Sequence, residues 1–185
     1  LGYKNIMGVD LTPEMIESAQ SLNQYFNTNI DFRIGNAKSL KFDNNSFDVV
    51  VFSFNGLMSI PQLENRKMAL NEINRILKPN GIFIFTTHDR EAESNFFGFW
   101  EKEAKKWERG EQNKTLYEFG DIIAMSKNEK REIFIHIPNQ EEIIEFLLNG
   151  NFQVIETFYR SDRFTESEQV KVKSGECRFW IVRKI

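Results

Sequence analysis

Four short segments carry residue types suited to holding a polar small molecule, and each closes an apolar run. Asp10 ends Ile6-Met7-Gly8-Val9. Gly35-Asn36-Ala37 follows Ile30 to Ile34. Phe54-Asn55-Gly56 follows Val49-Val50-Val51-Phe52, and His88-Asp89 follows Gly81 to Thr87. A carboxylate at the end of a strand can accept two hydrogen bonds from the vicinal hydroxyls of a ribose. Asn36 could pair with the exocyclic amine of an adenine while the Ala37 amide meets a ring nitrogen. Each residue also has a plain structural reading: Asp10 as a cap or turn acid, Asn36 as a turn residue. His88 is the candidate general base, with a satisfied wall histidine as its alternative. His136 alternates with Ile133, Ile135 and Ile137 and is expected on the opposite, structural face of its strand. The single cysteine, Cys177 in Glu176-Cys177-Arg178-Phe179-Trp180, reads as a structural thiol in a strand.

Helices must separate these strand ends. Thr12-Pro13-Glu14 has the form of a helix start, and Met15, Ile16, Ala19 and Leu22 follow at helical spacing. Val49 to Phe52 does not alternate, which predicts a strand buried on both faces. A second helix runs from about Leu63 to Leu77. Lys78-Pro79-Asn80-Gly81 stops it before the strand Gly81 to Thr87. Strands separated by helices imply parallel strands joined by right-handed crossovers. In such a doubly wound sheet ligands bind beyond the carboxyl ends of the strands, where the four segments lie.

His88 to Ile137 breaks this rhythm. An amphipathic stretch, Trp100 to Trp107, precedes a predicted β-hairpin made of Phe119 to Ser126 and Arg131 to Ile137 around Lys127-Asn128-Glu129-Lys130. Residues 89–138 are therefore expected to form an insert covering the substrate site. A helix opening at Pro138-Asn139 and two strands, Phe152 to Phe158 and Cys177 to Arg183, complete the chain. The expected architecture is a single α/β domain over residues 1–185: a doubly wound, Rossmann-like, mostly parallel sheet with an antiparallel C-terminal strand and an inserted hairpin lid.

Composition excludes several classes. The net charge is −3, with 24 basic and 27 acidic residues, so the chain lacks the basic footprint of a nucleic-acid binder. No apolar stretch has the length to span a bilayer. One cysteine rules out an internal disulfide and suggests a reducing, cytoplasmic compartment. No residue is assigned as a metal ligand.

Gly8-Val9-Asp10-Leu11-Thr12-Pro13-Glu14-Met15, Gly35-Asn36-Ala37, Phe47-Asp48-Val49-Val50-Val51-Phe52-Ser53-Phe54-Asn55-Gly56-Leu57 and Glu72-Ile73-Asn74-Arg75-Ile76-Leu77-Lys78-Pro79-Asn80-Gly81-Ile82-Phe83 occur in that order. The set resembles the class I S-adenosylmethionine-dependent methyltransferases, especially the small-molecule branch of types 11 and 25. The resemblance covers Leu1 to about His88 well and the last two strands loosely. It implies S-adenosylmethionine as cofactor, with Asp10 on the ribose hydroxyls, Leu11 on the adenine face, and Asn36 and Ala37 on the adenine edge. It places Ser53, Phe54 and Asn55 beside the methionine part and the methyl group. The implied partner is a small-molecule methyl acceptor, with Phe97, Trp100 and Tyr117 as candidate pocket aromatics. The family's Gly-x-Gly-x-Gly loop and its strand have no match, so an upstream segment is expected to supply the central strand.

Two rival readings remain. A nicotinamide-dependent dehydrogenase shares the ribose acid, but the short-chain type needs Tyr-x-x-x-Lys. Tyr3, Tyr25, Tyr117 and Tyr159 are followed at that spacing by Met7, Asn29, Asp121 and Arg163. The second rival is a non-catalytic protein that binds the cofactor or a partner.

Overall fold

The computed structural model describes residues 5–92, 96–125, 132–169 and 175–185. The first unit is β1 (Met7–Asp10), α1 (Pro13–Tyr25) and β2 (Asp31–Ile34), with β1 and β2 parallel. The second is β3 (Phe47–Phe52), a 3-10 turn (Gly56–Ser59), α2 (Leu63–Ile76) and β4 (Leu77–Thr87), with β3 and β4 parallel. The insert holds α3 (Phe97–Glu108), β5 (Asp121–Met125) and β6 (Glu132–His136). α4 (Gln140–Asn149), β7 (Phe152–Tyr159), the single turn α5 (Arg160–Arg163) and β8 (Arg178–Lys184) follow.

The four-stranded sheet has the order β3-β4-β8-β7. β8 is antiparallel to both neighbours, so β7 runs in the direction of β3 and β4. This is the expected α/β architecture: mostly parallel, with an antiparallel C-terminal strand. Among the described residues no ladder joins β1-β2 to this sheet. The gap lies between β1 and β3.

That gap corrects one expectation. β3 is not buried on both faces: Val49 is 47% and Val51 60% exposed. An apolar strand is covered only where another element lies against it, and the β1 side of β3 has none among the described residues. β4 also departs from the expected turn. Its ladder begins at Leu77 opposite Phe47, with an irregularity before Val49–Ile82, and Asn80 takes a positive φ inside it.

The core is built by the second unit. Leu70, Ile73 and Leu77 from α2 and its end meet Phe83, Phe85, Leu147, Phe152, Trp180 and Val182. Phe83 and Phe85 stack at 4.7 Å, and Phe85 stacks on Trp180. Trp180 is fully buried but keeps its Nε1–H bonded to Thr87 Oγ1 at 3.0 Å, which avoids an orphaned donor. α4 is fixed by a capping box, with Asn139 and Glu142 each bonding the other's backbone N–H.

The ends of the insert meet. Arg90 N–H donates to the Pro138 carbonyl at 3.1 Å. β5 and β6 pair antiparallel from Asp121–His136 to Met125–Glu132, as the hairpin pattern predicted. The predicted turn Lys127-Asn128-Glu129-Lys130 lies outside the described residues. Gly120 leads into β5 with φ +102, and a Cβ there would sit 2.8 Å from the Ile137 carbonyl oxygen. Only glycine meets both demands without strain.

Candidate functional site

The gap between β1 and β3 opens into a cavity of about 700 Å³ that runs from Met7 and Phe47, at the starts of those strands, to their carboxyl ends. Asp10, Leu11, Asn36, Ala37, Ser53 and Phe54 line it, together with Val9, Val49 and Val51 deeper along the strands. The cofactor residues expected from sequence thus share one cavity, except Asn55, which is not among its lining residues.

Local hydrogen bonds set these groups. Asp10 Oδ1 accepts the Thr12 N–H at 2.8 Å, while the Thr12 side chain makes no capping bond. The turn role and the ligand role of Asp10 therefore coexist, because a carboxylate has lone pairs on two oxygens. Asn36 Oδ1 likewise accepts the Lys38 N–H at 2.9 Å, closing the turn after β2. Leu11 is 65% exposed, a free apolar surface at the mouth.

The turn after β3 is strained. Phe54 and Asn55 both have φ 55, a left-handed conformation that costs a non-glycine residue on the order of 1–3 kcal/mol. Thr86 Oγ1 helps to hold it by accepting the Asn55 N–H at 3.0 Å. Phe54 is consequently thrust out, 95% exposed.

His88 connects this turn to the C-terminal strands. Its Nδ1 lies 2.9 Å from the Glu176 carbonyl oxygen, which can only accept, so Nδ1 carries a proton. Nε2 lies 3.0 Å from Asn55 Nδ2, which donates to it when the ring is neutral. Both nitrogens of the candidate base therefore have partners. Asn55 Oδ1 is left buried without one.

The candidate substrate aromatics Phe97, Trp100 and Tyr117 are not brought to the cavity. Trp100 is buried between Phe99 and Phe119 in edge contacts, and Tyr117 meets Phe134. Phe97 is half-exposed on α3. Of the three, the insert buries Trp100 alone, and Phe97 and Tyr117 stay about half exposed.

Sequence reasoning missed other groups. Leu40, Phe42, Ser59 and Ile60 line the cavity from turns whose composition marks them only as connectors. Asp89 was grouped with His88 but given no partner. Its Oδ2 accepts from the Tyr159 hydroxyl at 2.8 Å and Arg178 Nε at 3.2 Å. Burial, with the Asp89 carboxylate adding to it, pushes the Tyr159 hydroxyl pKa above its ordinary value. Burial likewise raises the Cys177 thiol, which suits a structural rather than a reactive cysteine.

Residues 1–85 match the family model of a methyltransferase domain. Over that stretch, somewhat under half of its length, the chain is similar to methyltransferase domains of type 11. It is 30% identical to an uncharacterised protein of Methanocaldococcus jannaschii over 157 residues, covering 83% of this chain and 57% of that one. It is 37% identical to a demethylmenaquinone methyltransferase of Staphylococcus haemolyticus over 82 residues, 44% of this chain and 32% of that enzyme. A solved methyltransferase structure from Methanosarcina mazei superposes with a TM-score of 0.74 at 18% identity, covering 98% of this chain and 82% of that one, a likeness of fold. The chain thus spans between a third and just over half of these two curated relatives. Among the described residues no helix is long and apolar enough to cross a membrane.

Proposed function

We propose that the whole protein transfers a methyl group from S-adenosylmethionine to a small-molecule acceptor. One observation carries this reading: Asp10, Leu11, Asn36, Ala37, Ser53 and Phe54, separated in sequence, line one cavity at the carboxyl ends of β1, β2 and β3. The cavity's polar rim and apolar walls fit a nucleoside with an amino-acid tail. Bound there, S-adenosylmethionine supplies an electrophilic sulfonium methyl group.

The chain's own residues then have defined tasks. Asp10 accepts the ribose hydroxyls, Leu11 covers the adenine face, and Asn36 with Ala37 reads the adenine edge. Ser53 and Phe54 flank the reacting end, and Asn55 stands behind them against His88. Alignment and exclusion of water are the main work of such a site. His88 accepts a proton at Nε2 only after the Asn55 side-chain amide turns its NH2 away, which a side-chain rotation achieves. The insert, residues 89–138, covers the acceptor side as part of one domain. A quinol, phenol or amine fits this reading better than nucleic acid, given the net charge of −3. A cytoplasmic location goes with it.

Calorimetry on the full-length protein tests the proposal. S-adenosylhomocysteine is expected to bind and NAD to give no heat. Tight NAD binding without S-adenosylhomocysteine binding overturns the reading in favour of the dehydrogenase alternative. A methyl-acceptance screen of quinols, phenols and amines then separates an enzyme from a non-catalytic cofactor binder.

A further inference from the structure

A second polar cluster lies at the base of the insert, outside the cavity just described. His136, at the end of β6, is 5% exposed. Its Nδ1 is 2.8 Å from Asp121 Oδ1 and its Nε2 is 3.8 Å from Glu142 Oε2. Both carboxylates are pure acceptors when ionised, so each ring nitrogen faces an oxygen that calls for a proton. Asp121 is held ionised: its Oδ2 accepts the Tyr117 and Glu118 N–H groups at 2.9 and 3.0 Å. Arg90 grips Glu142 with both terminal nitrogens.

Glu118, Asp121 and His136 bring their polar side-chain atoms within 4.8 Å of one another. The chain itself supplies positive charge beside them. Arg66 on α2, only 2% exposed, donates to Glu118 and, at 3.1 Å, to the Ile60 carbonyl. Ile60 is a wall residue of the cavity. The cluster therefore holds the carboxylates Glu118, Asp121 and Glu142 against Arg66, Arg90 and His136, and its charges balance only when His136 carries two protons. Lys67 and Glu145 flank it in a shallow groove.

We propose that this cluster is a proton-operated clamp: His136 in its imidazolium form ties the insert hairpin to α4, while the adjoining Glu118–Arg66 pair ties the insert to α2 and the cavity wall, and loss of the His136 proton loosens the hairpin. Ile135 packs β6 against the core, and Arg90 donates to the Ile137 carbonyl whatever the pH, so the His136 proton adds a charge-dependent increment to a hairpin already in place. Burial pulls the His136 pKa down, but the hydrogen bond to Asp121 and the Glu142 carboxylate 3.8 Å from Nε2 outweigh it and leave the value above the ordinary one. Burial similarly pushes Glu142 up, but His136 and Arg90 outweigh it and bring it to about 2, so Glu142 stays ionised throughout the relevant range. Arg66 opposes the second proton on His136 and Glu118 favours it. This inference concerns the insert alone and stands whether or not the protein transfers methyl groups.

Nitrogen-15 NMR of the imidazole in the full-length protein tests it. His136 is expected to titrate with a midpoint above the ordinary value of about 6.5. A midpoint at or below that value, or a neutral ring at pH 6, overturns the clamp. Hydrogen exchange, corrected for its intrinsic pH dependence, supplies the structural readout. Protection of β5 and β6 should fall by about tenfold or more across that midpoint, while β7 and β8 keep theirs. Equal behaviour of the two regions overturns the proposal. H136Q should remove the pH dependence of hairpin exchange. Should that variant fail to fold, E142Q decides: it should lower the His136 midpoint, and an unmoved midpoint refutes the role given to Glu142.

Discussion

The units β1-α1-β2 and β3-α2-β4 share one sequence pattern and meet different fates. α2 buries Ala69, Leu70, Ile73 and Ile76, whereas α1 buries only Ile16 and leaves Met15 and Leu22 exposed. β4 is flanked by β3 on one side and β8 on the other. β1 has β2 alone. Apolar periodicity states which face wants cover, but the neighbouring strand decides whether cover is present. The two sides of β3 show the same contrast within one strand.

The largest expected effect breaks this comparison at its strongest point. Trp180→Ala empties a fully buried position and should cost about 3–5 kcal/mol in denaturant unfolding. Val51→Ala, on the uncovered side of β3, should stay within about 0.5 kcal/mol in the 185-residue chain. A Val51 effect as large as that of Trp180 would mean that another segment covers the gap.

Next is Arg66→Ala. It removes a buried cation from Glu118 and from the Ile60 carbonyl. Glu118 is partly solvated, so the loss should sit at the low end for a broken buried pair, about 3 kcal/mol, by the same unfolding measurement. A loss below half of that would show that water replaces the guanidinium and that the insert is not tied to α2 as described.

Asp10→Ala probes the exposed unit instead. It should weaken S-adenosylhomocysteine binding by about 1–3 kcal/mol in calorimetry, with little change in unfolding. Unchanged affinity removes Asp10 from the site. The smallest effect is the pH slope of stability. His136 has a higher pKa folded than unfolded, so its contribution is complete below the unfolded value of about 6.5 and declines as pH rises through the folded one. Thermal unfolding of wild type and H136Q should converge above that window. Curves that stay parallel from acid to alkaline pH would exclude the clamp's contribution.

The site was legible where the chemistry is local. Asp10, Asn36, Ala37, Ser53 and Phe54 each close a strand, and a strand end is visible in a few consecutive residues. The insert hairpin was legible from alternation, and the structure buries His136 at the end of β6. The partners of His136 were not legible. Asp121 sits across the β5–β6 ladder, Glu142 on α4 and Arg66 on α2. Nothing in the local pattern of these segments announces a common destination. Phe97, Trp100 and Tyr117 were expected near the acceptor because they cluster in the insert. An aromatic's direction depends on which surface needs filling, and here the insert's own interior claims Trp100.

The sequence by itself determined the order of strands and helices, the motif residues and the resemblance to a methyltransferase domain, because these depend on short-range periodicity and on residue type. Tertiary structure alone decided that β3 has one covered and one open side, that Asn55 binds His88 rather than lining the cavity, and that six charges converge beneath the insert. Each of those facts depends on which distant segment lies against a given face, and burial, hydrogen-bond pairing and charge balance are properties of that contact.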